Sequence, residues 1–155
     1  MKKVIVMAIA ALAIFSGCNK DNDTKTPVVS NAVYSGQLKV TFQGSVYTTE
    51  NVVIETTPNT TANKNAMDIK MDKVKFVPQM PVSVDITIPA IEYTTSDDGT
   101  ITFSGDNIIP TAMGGAYPAY TVTDLTGTIK DGKINMSLKF GSFPTSYSGE
   151  EQKAD

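Results

Sequence analysis

Residues 131–140 read DGKINMSLKF. Ile134, Met136, Leu138 and Phe140 alternate with Asn135, Ser137 and Lys139, so an extended chain puts all the apolar side chains on one face and the polar ones on the other. A helix would scatter the same residues around its circumference. Asp131-Gly132, just ahead, supplies the positive φ angles that a two-residue type I′ turn requires. Residues 126–130 lie on the far side of that turn, so the pattern predicts two antiparallel strands joined by a tight hairpin.

The same period recurs outward along the chain. Leu38, Val40 and Phe42 alternate with Lys39, Thr41 and Gln43, and Met67, Ile69 and Met71 with Asp68, Lys70 and Asp72. Val82, Val84, Ile86 and Ile88 alternate with Ser83, Asp85 and Thr87. Turn residues fall between the runs, at Gly44-Ser45 and at Asp97-Asp98-Gly99. No window shows a comparable helical period, and the chain has no internal repeat. About eight strands, each with one wet face, must hide a common apolar side. Closing the sheet on itself does this and removes the edges. The sequence therefore predicts an all-β fold over residues 34–155, an up-and-down antiparallel β-barrel, with an open sandwich as the alternative. Parity breaks between Tyr120/Val122 and Leu125/Ile129, which predicts a bulge near Thr123-Asp124.

Three stretches carry a family likeness: Tyr34-Ser35-Gly36-Gln37-Leu38, then Met80-Pro81-Val82 leading into Asp85-Ile86-Thr87-Ile88-Pro89, then Leu125-Thr126-Gly127-Thr128-Ile129 ahead of Lys133-Ile134. Together they resemble the calycin-like, or lipocalin-like, domain of bacterial lipoproteins, over nearly all of residues 34–145. The resemblance implies a lipocalin-like barrel. Its motifs are structural, and no catalytic or ligand-binding residue carries over with it.

The N-terminus reads as an address. Lys2 and Lys3 precede an apolar run, residues 4–15, that is too short to span a bilayer, which takes about 20 helical residues. Phe15-Ser16-Gly17-Cys18 resembles the bacterial lipobox, with Phe15 standing where Leu is usual. The reading is a signal peptide over residues 1–17, and a lipidated Cys18 heading a flexible tether over residues 18–33. Cys18 is the only cysteine of the chain, so an intramolecular disulfide is ruled out, and acyl chains such as palmitate on Cys18 would hold the protein to a membrane. The alternative is an ordinary cleaved signal beside a spare cysteine. Acids at Asp21 and Asp23 resemble a surface-export signal, giving an outer-membrane lipoprotein displayed at the cell surface as the expectation.

Composition excludes more chemistry than it suggests. The chain has no His, no Trp and no Arg, which removes the usual proton shuttle near neutral pH, the commonest metal ligand and the bidentate clamp for phosphate. The net charge is −3, and losing Lys2 and Lys3 with the signal makes it more negative, against a nucleic-acid partner. Asp68 and Asp72 sit beside Lys70 on the polar face and read as strand charges rather than a glycosidase pair. Glu55 and Glu92 have no fixed separation. Asp21-Asn22-Asp23 and Asp97-Asp98-Gly99 lack the rest of a calcium loop and read as tether and turn. The expectation is a protein that is not an enzyme and has no cofactor and no metal site. Residues 109–120, with two Gly and two Pro, read as a loop at the barrel mouth. There Tyr117 and Tyr120, with Met80 and Met113, are candidates to bind a small apolar molecule or a glycan. The alternative is that these side chains plug the barrel and the protein acts through contacts with another envelope protein.

Overall fold

In the computed structural model, which describes residues 29–153, strand pairing follows chain order. The signal read over residues 1–17, Cys18, and the tether as far as residue 28 lie outside the described residues. Strands β1 (Ala32–Phe42), β2 (Ser45–Pro58), β3 (Ala66–Val74), β4 (Val84–Thr95) and β5 (Ile101–Gly105) each pair antiparallel with the next. A short hairpin, β6 (Thr111–Ala112) and β7 (Gly115–Ala116), then branches off β4, where Ala112 lies opposite Ile86. The circuit resumes with β8 (Val122–Lys130), β9 (Lys133–Phe140) and β10 (Phe143–Glu151). β10 returns to β1, from Tyr34 opposite Glu151 to Val40 opposite Thr145, and so closes an eight-stranded barrel. The open sandwich is thereby excluded.

Local chemistry places the turns. Asp131 and Gly132 have φ of 49° and 71°, the left-handed pair of a type I′ hairpin, and Gln43-Gly44 repeats the geometry between β1 and β2. Asp98 organises the β4–β5 turn by accepting from the Ser96 hydroxyl, the Thr100 N–H and the Lys130 ammonium. Those bonds hold its carboxyl well below the usual carboxylate range, the Lys130 bond contributing most.

Four register shifts interrupt the pairings, and in each the strand with the extra residue has a non-glycine residue at positive φ: Asn51, Lys73, Ala90 and Asp124. These are β-bulges, and each reverses the in/out parity beyond it. Ile88 and Ile91 consequently both face inward, as do Met71 and Val74, and Val122 and Leu125. The bulge expected near Thr123-Asp124 is among them. A left-handed non-glycine residue costs on the order of 1–2 kcal/mol. Here side chains on other segments hold the irregular backbone. Asp85 accepts from Lys73 N–H at 2.9 Å, Asp68 from Ala90 N–H at 2.8 Å, and Asp106 from Asp124 N–H at 3.3 Å. Beside Asn51, the Tyr147 hydroxyl donates to the Val52 carbonyl at 2.8 Å.

Three boundaries differ from the sequence reading. Strand β1 starts at Ala32, ahead of Tyr34, and Val29 is already buried. Val82, expected to face inward, is 62% exposed: it lies before β4, next to Pro81, which has no N–H to give a ladder. Residues 109–120, read as a loop, contain the β6–β7 hairpin and a 3-10 turn, Pro118–Tyr120.

Asp68 also accepts from the Asn59 side chain at 2.7 Å, so it ties the β2–β3 loop to the Ala90 bulge. Asp68→Ala is expected to lower stability by about 1 kcal/mol by removing both bonds, whereas Asp97→Ala, in an exposed turn, should change it by less than about 0.5 kcal/mol. Urea unfolding of the two variants checks this.

Candidate functional site

The barrel interior is full. Leu38, Ile54, Met71, Ile86, Ile88 and Leu125 are among the side chains excluded from solvent, and Phe103 packs against Gly127, where an added Cβ would come within 2.2 Å of its ring. Tyr147 reaches inside the wall to its bond with Val52. Burial holds its hydroxyl far above the ordinary tyrosine value. Tyr34 is raised too, chiefly by burial and then by the negative charge of Glu151.

One end of the barrel carries the β3–β4 loop, the β6–β7 hairpin and the β9–β10 turn, and a ladder of rings closes it. Tyr117 stacks on Tyr120 with centroids 5.0 Å apart, and Tyr120 stacks on Phe76 at 4.3 Å. Phe143 lies 5.3 Å from Phe76 and 5.7 Å from Phe42, while Phe140 meets Phe76 edge-on at 5.3 Å. Tyr117 N–H donates to the Pro110 carbonyl at 2.8 Å, and the Pro118 carbonyl accepts from the Thr121 N–H and hydroxyl, which sets the 3-10 turn that presents both tyrosines. Proline suits the first position of such a turn because its fixed φ is already helical and its missing N–H would have no partner there.

Of the four candidates named from the sequence, Tyr117 and Tyr120 therefore meet in one stack, and burial raises the Tyr120 hydroxyl above its ordinary value. Met80 folds back so that its sulfur accepts from the Phe76 N–H at 3.2 Å, and its side chain packs against the core. Met113 stands apart, 73% exposed at the tip of the β6–β7 hairpin. Sequence reasoning missed Phe42, Phe76, Phe140 and Phe143. They lie near three different turns, and only the barrel topology brings them together.

The carboxylates are occupied by structure. Asp68 holds a bulge, Asp72 pairs with Lys70 at 2.9 Å, and Glu92 pairs with Lys64 at 2.7 Å. Among the described residues, no group of three or more His, Cys, Asp or Glu side chains is placed to hold a metal ion.

A closed, filled, eight-stranded up-and-down barrel of this kind defines a calycin-like architecture. The chain belongs to the calycin-like beta-barrel domain family, whose model matches residues 31–152. No curated protein and no solved structure matches it. Barrels of this class are generally binding folds rather than catalytic ones.

Two outcomes follow from the plug and the interior. Phe76→Ala, which removes the central ring of the ladder, is expected to cost about 3–5 kcal/mol, and Tyr117→Ala, at the outer rung, less than about 1.5 kcal/mol; thermal and urea melts compare them. An unfolded tyrosine ionises near pH 10 while buried Tyr147 stays protonated, so the folded state binds the extra proton and stability falls as pH rises above about 10. The Tyr147→Phe variant should show a shallower alkaline loss, measured as urea midpoint against pH.

Proposed function

We propose that this chain is a lipid-anchored envelope protein whose barrel is a filled, non-catalytic body that works through its outer surface. The observation that carries the reading is the packed interior: the inward positions are mostly Leu, Ile, Val, Met, Phe and Tyr, the space at Gly127 and Gly149 is filled by the rings of Phe103 and Tyr147, and the aromatic ladder covers one end. A lipocalin-type cavity needs inward positions left small or empty. This favours surface binding over an apolar molecule held inside the barrel.

The anchor rests on the sequence: a charged and apolar leader ends at a single cysteine after small residues. Acylation there would supply about 0.8 kcal/mol for each buried methylene and needs no membrane-spanning helix. The acids after Cys18 support display at the surface of an outer membrane. A composition without His or Arg supports a non-catalytic role.

Expressed in a Gram-negative host, the full chain is expected to partition into the detergent phase of Triton X-114 and to carry acyl mass on Cys18, and Cys18→Ser should move it to the aqueous phase. An unacylated wild-type chain in the aqueous phase overturns the anchor. Native mass spectrometry of the same detergent preparation should show no co-purifying apolar molecule. One retained at equal stoichiometry would place binding inside the barrel and overturn the filled-body reading.

A further inference from the structure

The outer wall of the barrel is divided between two kinds of surface. Outward positions on β2, β3 and β4 include Glu55, Lys70, Asp72, Asp85 and Glu92, the usual charged covering of a wet sheet face. The wall made by β5, β8, β9, β10 and β1 is different. Reading across the strands in register, one row runs Thr102, Thr128, Asn135, Ser148, Gln37. The next row runs Ser104, Thr126, Ser137, Ser146, Lys39. Nine of these ten side chains are uncharged, and most are hydroxyls.

Between the rows lies an open groove of about 570 Å³, floored by the backbone of Phe103, Gly127, Met136 and Tyr147. Parallel hollows of about 510 Å³ and 310 Å³ continue it on either side, sharing Gln37, Asn135 and Ser148 with the one and Lys39, Ser137 and Ser146 with the other. The grooves exist because the side chains are short. Lysines and glutamates would lay their methylene stems across the same backbone and cover it. Ion pairs border the field, Lys133 with Glu150 at 3.2 Å and Lys139 with Asp124 at 2.7 Å, and Lys39 stands at the end of the second row.

Among the described residues, the side chains of Thr102, Ser104, Thr126, Thr128, Ser137 and Ser146 make no hydrogen bond to protein, and neither do those of Asn135 and Ser148. Hydroxyl and amide groups both donate and accept. Here they repeat every 4.7–4.9 Å or so from strand to strand and about 6.8 Å from row to row. Five strands give a track of roughly 19 Å at that spacing. A peptide could not join this wall as an added strand, because closure of the barrel has used the edges of these strands. A cation would meet no opposite charge in the groove, and an anion would meet only Lys39, at one end of the second row.

We propose that this groove binds a linear, neutral glycan lying across the five strands, its hydroxyls matched by the two rows and its C–H faces resting on the exposed backbone floor. The inference rests on the filled-barrel reading and names the surface and ligand class that reading requires.

The test uses the full chain in detergent micelles, with cellohexaose, xylohexaose, mannohexaose and maltohexaose as neutral probes and an oligogalacturonate as the charged comparator. Amide shifts are followed at Gly127, Asn135 and Ser146, and methyl shifts at Met71 and Ile54. At least one neutral hexasaccharide is expected to move the groove amides with a Kd below 1 mM, the oligogalacturonate to bind at least tenfold more weakly, and Thr126→Lys or Ser137→Lys to weaken binding at least tenfold with melting unchanged. Tyr117→Ala should leave it as it is. Silence from all four neutral probes overturns the groove assignment, as does binding that survives both lysine variants or is lost in Tyr117→Ala. Movement of the interior methyls with a change in the ligand's exposure would overturn the filled barrel itself, a distinct result.

Discussion

The backbone N–H of a left-handed bulge residue held by a carboxylate from another segment is the interaction on which this barrel turns. A sheet with strict period two that must close and curve has to shift register somewhere, and each shift reverses which side chains face inward. Asp85 at Lys73, Asp68 at Ala90 and Asp106 at Asp124 fix three of those shifts, with Tyr147 acting beside the fourth. The shift at Ala90 is what buries Ile88 and Ile91 together on one strand. Several of the acids of this chain are thus part of the frame.

Once parity is fixed, the interior fills by composition. Most inward positions are long, branched or aromatic, and side chains of that volume leave a small eight-stranded barrel solid. The ring ladder completes this at one end, where Phe76 is fully buried and Tyr117 is the outer rung. The same loops that carry ligand specificity in an open barrel serve here as its lid. A closed interior leaves the wall as the exposed surface, and there charged residues cover β2–β4 while two rows rich in hydroxyls cross β5, β8–β10 and β1 between flanking ion pairs.

Period two, the Asp-Gly turn and the parity break at Thr123-Asp124 were all legible from the chain because they depend on residues close in sequence. Burial of Ile91 was not, because the Ala90 bulge is stabilised by Asp68 on the preceding strand. Val82 was misplaced for a related reason: alternation continues for one residue pair beyond the point where Pro81 ends the ladder. Tyr117 and Tyr120 could be nominated together because they share a turn. Their stacking partner Phe76 lies on another loop, and nothing local points to it. The hydroxyl rows were the least visible feature, since each strand contributes only alternate Ser, Thr or Asn residues that look like any wet face. Register alone turns them into a continuous field.

The direction of the chain adds a last constraint. β1 begins and β10 ends at the same end of the barrel, where Gln152 N–H donates to the Val33 carbonyl at 2.7 Å and Val29 is buried. The aromatic ladder lies at the other end, beside the β1–β2 and β9–β10 turns. A lipid on Cys18 would therefore tether the barrel by its terminal end and turn the plugged end away from the bilayer. Ten residues, 19–28, separate Cys18 from the first described residue, and an extended chain of that length reaches at most about 35 Å. With the barrel axis upright on such an anchor, its long side, with the hydroxyl rows, would face along the membrane plane rather than into it. An anchored, solid barrel can then offer its wall to an extended polymer without any opening of the fold.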